Sequence, residues 1–169
     1  MHIIEEMEWK SRTSYEEIVD IVISRLQMEQ LKKRLDVIFA EEQREPIFYD
    51  SKHRNDFYGM LQKRRGRSIA HTSKYAAAVF LLSVDEALWE KVKGNVMDTG
   101  IFFDRMKIGG VTLEQYILFH AAKDVYHNTK HIRLSEMADR QLISDKILKV
   151  IVNAFVISRC GIEVIRKEA

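Results

Sequence analysis

The segment "DKILKVIVNAFVISRC", Asp145 to Cys160, sets Ile147, Leu148, Val150, Ile151, Val152, Ala154, Phe155, Val156 and Ile157 at every angle around a helical axis. A helix that is apolar on all sides has no face to give to water, so other elements must enclose it. Ser144 ahead of it is a good N-cap and Gly161 behind it a natural stop. The length between those caps exceeds that of an ordinary strand, which decides for helix against the β-branched content. The rest of the chain is therefore expected to wrap this element.

The wrapping material reads as helical too, because one Pro and seven Gly in 169 residues leave few breaks. Ser14 or Thr13, with Glu17 or Glu16 three residues on, makes a capping-box start. From there Ile18, Ile21, Val22, Met28, Leu31, Leu35 and Ile38 recur at threes and fours to about Phe39. That spacing predicts one long amphipathic helix, ending before Pro46, which biases Glu45 out of helical geometry. Residues 1–45 thus form an N-terminal helical unit and 46–169 a core domain, one structural unit overall. Ile21, Met28 and Leu35 stand seven apart, so pairing in a homodimer through this helix is the alternative to packing on its own domain.

A second helix starts at an Asp50 or Ser51 cap and stops at Gly66, and a third runs from about Ser73 with Tyr75, Ala76, Val79, Phe80 and Leu82 as a closely packing face. Ser83 with Glu86 caps a fourth to Gly94, and Thr112 with Gln115 caps a fifth. "GIFFDRMKIGG" reads as loop, short helix or a small hairpin near 101–108. The predicted fold is all-α: a compact single-domain bundle of about six helices around the buried C-terminal one.

Composition narrows the function classes. A lone Cys160 excludes an internal disulfide and any zinc site built on several cysteines, and without a secretory signature it points to a reducing cytoplasm. The longest apolar-rich stretch, Ile147 to Ile157, is too short to span a bilayer, so no membrane partner is expected. The net charge of +2 conceals segregation: residues 1–45 carry 7 Lys plus Arg against 11 Asp plus Glu, residues 46–75 carry 7 against 2, and the remainder 13 against 12. The basic excess sits in one short middle segment.

Two stretches could carry chemistry. "FHAAKDVYHNTKH" places His120, Asp124 and His127 at offsets of 0, 4 and 7 on one helical face, a geometry that can converge on a metal ion. Leu113, Tyr116 and Ile117 continue the same stripe upstream, so the face also reads as a buried stripe emerging into water. His131 is expected beyond the helix end and off the face, since Asn128 and Thr129 are poor helix formers. No HExxH, nucleophile elbow or phosphate-cradling loop is present, and Cys160 at a buried helix end reads as packing. No catalytic residue and no cofactor is expected.

The second stretch is the run Lys63, Arg64, Arg65 and Arg67 at a helix end, with Lys52 and Arg54 one helix-length away. Such a patch can hold phosphates or dock on an acidic protein surface. Tyr49, Phe57 and Tyr58 nearby could stack on bases, although that spacing equally serves a core. "LSEMADRQLISDKILKVIV" has the outline of a helix-turn-helix, with Ala138, Ile143, Leu148 and Ile151 at its apolar positions. Its second helix is the one buried all round, which cannot lie in a groove.

In "PIFYDSKHRNDFYGMLQK", "SKYAAAVFLLSVDEALWEKV" and "LSEMADRQLISDKILKVIVNAFVISRCG" the chain resembles a family of small proteins of unknown function from Gram-positive bacteria, carried on phages and integrative elements. The resemblance spans roughly residues 46–161. It implies a cytoplasmic accessory protein of a mobile genetic element, and it carries no catalytic residues over. Such proteins often act by binding, so the expected function is a non-enzymatic interaction module, an inhibitor of a host defence system such as a CRISPR effector. The expected partner is a host or phage protein. Nucleic-acid binding through Lys52, Arg54, Lys63, Arg64, Arg65 and Arg67 is the alternative.

Overall fold

Eight consecutive residues, Tyr75 to Leu82, are buried in a computed structural model that describes residues 14–40, 44, 46–63 and 72–166. They belong to a ten-residue helix, Ser73–Leu82, capped by the Thr72 side chain accepting from the Tyr75 N–H. Ala76, Ala77 and Ala78 hold its neighbours close, and Phe80 to Leu82 fill the space around it. The helix that the sequence marks as central, Asp145–Cys160, lies against it with nine residues buried. The core therefore has two axial elements where the sequence advertised one.

Nine α-helices are present among the described residues: α1 (Tyr15–Arg25), α2 (Glu29–Ile38), α3 (Ser51–Lys63), α4 (Ser73–Leu82), α5 (Glu86–Val92), α6 (Leu113–His127), α7 (Leu134–Ala138), α8 (Asp145–Cys160) and α9 (Glu163–Arg166). The all-α expectation holds, and no described helix is long and apolar enough to cross a membrane. α6 and α8 both pack on α4 and on each other, while α3 and α5 flank α4. Six helices were expected; the excess is the short α7 and α9, and a first helix that is broken in two.

That break overturns the single N-terminal helix. α1 starts as anticipated, with a Ser14 and Glu17 capping box, but Leu26 adopts an extended conformation and α2 begins at Glu29. Leu-Gln-Met at the break are good helix formers, so local propensity did not cause it. Tertiary packing did: α1 lies on α8 while α2 reaches α7. A straight helix of that length would run about 37 Å and carry half its stripe away from the core. Bending inward buries Leu31, Leu35 and Ile38, at about 1.5 to 3 kcal/mol each, which outweighs the backbone bonds lost at the break.

Buried polar side chains lock these outer elements in place. Arg34 of α2, 3% exposed, donates from Nε to Asp145 at 3.0 Å, from Nη1 to the Met137 carbonyl at 2.6 Å and from Nη2 to the Ile143 carbonyl. Asn153 of α8 accepts from the Tyr15 hydroxyl of α1 and donates to the Ile47 carbonyl at 3.1 Å. Residues ahead of Pro46 are thus bolted to those behind it.

Smaller expectations shift as well. The fourth helix is capped by Asp85, whose carboxylate accepts from the Leu88 N–H, whereas Ser83 closes α4 by donating to the Val79 carbonyl. The hairpin lies just upstream of 101–108, pairing Val96 with Ile101 and Met97 with Gly100, and a 3-10 turn at Phe103–Arg105 follows. Thr112 with Gln115, Ser144, and Gly161 at φ 81° act as anticipated. The helix-turn-helix outline fails for the expected reason: α8 is enclosed, and Arg34 clamps the connection ahead of it.

Candidate functional site

Of the basic segment, Lys52, Arg54 and Lys63 fall among the described residues, all on α3. Lys52 and Lys63 sit eleven positions apart on α3, about 16 Å along the axis. Lys52 pairs with Asp56 at 2.7 Å and approaches Glu86 at 3.8 Å, and the Arg54 guanidinium lies 5.8 Å from the Tyr58 ring centre. Arg64, Arg65 and Arg67 lie outside the described residues. The neighbouring aromatics are core: Phe57 is enclosed and packs with Phe48, Tyr58 and Phe80, while Lys146 caps the Tyr49 ring at 3.6 Å.

One residue inside the basic stretch is not part of any basic surface. His53 is 1% exposed; its Nδ1 accepts from the Tyr49 N–H at 3.0 Å, so Nε2 carries the proton and donates to the Phe80 carbonyl at 2.7 Å. Burial drives its pKa down to about 4 against the favourable pull of the Phe80 carbonyl and nearby carboxylates. It is a neutral strut between α3 and the axial helix α4.

The histidine face also resolves into structure. Asp124 is buried near the end of α6, and its Oδ1 accepts from the Thr129 hydroxyl at 2.7 Å, the His131 N–H at 2.8 Å and the His131 ring at 2.6 Å. Its Oδ2 accepts from the Ile132 N–H at 2.9 Å. Burial alone would raise its pKa, but the His131 and Ile132 N–H groups, then the Thr129 hydroxyl and the His131 ring, hold it below the usual carboxylate range. The carboxylate is a clamp on the loop that leaves α6 through Asn128, whose φ of 57° turns the chain back. His131 is beyond the helix end as expected, but the clamp returns it to the face from which it was expected to depart.

His120, Asp124 and His127 do not converge. His127 packs edge-on against Phe103 and Tyr126, while the His120 ring lies 4.2 Å from Tyr116 and 5.3 Å from His131, centre to centre. Among the described residues no group of three or more His, Cys, Asp or Glu is placed to hold a metal. Leu113 and Tyr116, expected to anchor the helix, are exposed; Ile117, Leu118, Ala121, Ala122 and Val125 anchor it instead. Burial pushes the half-buried Cys160 thiol up to about 11, opposed by Arg159, which keeps it protonated and unreactive near neutral pH.

The loop that Asp124 clamps forms one wall of a cleft of about 320 Å³ between α6, α7 and the outer ends of α4 and α8. Val125, Ile132, Leu134, Met137 and Phe155 make an apolar floor, and Lys74, Lys130, Arg133 and Arg159 stand around it. None of these four cations has a salt bridge among the described residues, and the one carboxylate in the lining is Asp124, already holding four donors. Sequence reasoning missed this site because its cations come from three separated segments. A faint signal existed in Phe155, one apolar residue too many for a helix that needed only to be enclosed.

Comparison with family models, with curated proteins and with solved structures returned no match for the chain.

Proposed function

We propose that the chain is a non-enzymatic interaction module that holds an acidic face of another protein in the cleft between α6, α7 and α8. The carrying observation is the set of four cations around an apolar floor, Lys74, Lys130, Arg133 and Arg159, whose side chains form no salt bridge among the described residues. Exposed cations raise the local concentration of acidic partners, and the floor supplies the contact that retains them. The groups that could have done chemistry support the same reading through their engagements: Asp124 closes a loop, His53 joins two helices and Cys160 stays protonated. The resemblance to mobile-element proteins makes a host protein the expected partner class, with a component of a defence system such as a CRISPR effector foremost.

The test is affinity purification of the full chain from host lysate beside the double variant Arg133→Glu and Arg159→Glu, read by quantitative mass spectrometry and by plasmid interference. Loss of a specific partner and of the interference phenotype in the variant supports the reading; identical partner sets overturn it. The competing reading, nucleic-acid binding by the basic segment 52–67, predicts duplex affinity that falls steeply with salt and drops when Arg64, Arg65 and Arg67 become alanine.

A further inference from the structure

The cleft has two cationic walls rather than one. Lys74 and Arg159 sit where the start of α4 meets the end of α8, a junction so close that a Cβ on Gly161 would lie 3.7 Å from the Ser73 hydroxyl. Lys130 and Arg133 belong to the α6–α7 connection, held in place by the four bonds to Asp124. A ligand with a single anionic head would satisfy one wall and leave the other. An occupant that meets both needs negative charge on each side of an apolar body.

The floor says what that body is. Ile132, Leu134 and Phe155 are packed against the core on one side and remain partly open on the other. Phe155 is the one large apolar residue of the axial helix α8 that the core does not enclose. Met137 beside it has an unbranched, polarisable side chain that adapts to different shapes. A volume of about 320 Å³ is at the small end of ligand pockets, suited to one or two large side chains.

We infer that the cleft reads a short linear segment of its partner in which a large aliphatic or aromatic residue is flanked on both sides by Asp or Glu. The anchor enters between Leu134, Met137 and Phe155, and the flanking carboxylates meet Lys74 and Arg159 on one wall and Lys130 and Arg133 on the other. This rests on the interaction-module reading and names the recognition element within it.

The experiment selects a random twelve-residue peptide library, displayed on phage, against the full-length chain at physiological salt. The most enriched peptide is then measured by fluorescence anisotropy. Expected sequences carry an aromatic or aliphatic residue with acids on both sides, and replacing that residue by alanine weakens binding by about tenfold or more, as for a buried anchor. Arg133→Glu with Arg159→Glu abolishes binding, and methyl resonances of Ile132, Leu134 and Met137 shift on titration. Enrichment of sequences without flanking acids, equal binding of the alanine peptide, or no enrichment at all overturns the inference. Displacement of the peptide by dodecanoate at equal concentration also overturns it, since a single-headed anion then suffices. If peptide selection fails while partner capture still depends on Arg133 and Arg159, the interaction reading stands and the linear segment falls; if neither depends on them, both fall.

Discussion

His53 makes the fold sensitive to mild acid in a way that can be isolated. Its pKa is about 4 in the folded chain against an ordinary 6.5, because the ring is enclosed between α3 and α4 with one nitrogen accepting from Tyr49 and the other donating to Phe80. Between those two values the unfolded chain binds a proton that the folded chain refuses, so stability falls as pH falls through this window and levels off below about 4. The gap corresponds to about 3 kcal/mol in total, with a limiting slope of about 1.4 kcal/mol per pH unit. Urea unfolding at pH 7.5, 6.5, 5.5 and 4.5 measures it, with His53→Gln as reference. The glutamine can still donate to the Phe80 carbonyl but does not titrate, and at pH 7.5 it costs about 1 to 3 kcal/mol for the Tyr49 N–H left without its acceptor. Acid effects that arise far from His53 are common to both chains and cancel in the difference. The stability advantage of the wild type over His53→Gln therefore narrows by about 2 to 3 kcal/mol between pH 7.5 and 4.5. An advantage that stays constant across that range would show that His53 is not held neutral, and the account of α3 packing would go with it.

Other substitutions probe the remaining joints. Arg34→Met leaves the Met137 and Ile143 carbonyls without their donor and lowers the unfolding free energy by about 2 to 5 kcal/mol, and Arg34→Lys does not rescue it because an ammonium cannot reproduce the three-way fork. Ala78→Leu overpacks the axial helix α4 and costs about 1 to 3 kcal/mol in urea titrations; a neutral result removes α4 from the centre of the fold. Asn128→Ala costs about 1 to 2 kcal/mol at a left-handed position, whereas Asn128→Gly is within about 0.5 kcal/mol of wild type by thermal unfolding.

The parts of the fold that were legible in the sequence are those decided locally. Capping residues at Ser14, Thr112 and Ser144 mark their helices, and the uniform apolar surround of α8 announces its burial. The equal centrality of α4 was masked because alanine contributes little to an apolar count while allowing the closest approach between helices. The break between α1 and α2 was invisible because Leu26, Gln27 and Met28 are willing helix formers, bent by contacts more than a hundred residues away in sequence. In the candidate site, the residue types at Asp124 and His131 stood out and their role did not. Whether a carboxylate faces a metal or a backbone turn depends on the conformation at Asn128, which composition does not encode. Arg34 left a usable trace, since it falls on the stripe shared by Leu31, Leu35 and Ile38, where a cation has no place unless it is fully paired.

Four of the six buried polar residues among those described, Arg34, His53, Asp124 and Asn153, share one pattern of use. Each lies under 9% exposed and each bridges backbone or side chains of elements that are not its own. An unpartnered polar group at such a position would cost about 1 to 3 kcal/mol, so their complete pairing is what folding demands. The cleft cations obey no such demand. Lys74, Lys130 and Arg133 are exposed, and although the Arg133 backbone N–H donates to Glu136, none of the three charged side chains forms a salt bridge among the described residues, so the fold gains little from their charge. Reversing Lys130 or Arg133 to Glu is expected to change unfolding free energy by no more than about 0.5 kcal/mol. A loss well beyond that would mean that these cations serve the fold. Near-neutrality, combined with loss of partner or peptide binding in the same variants, separates a surface kept for recognition from one kept for stability.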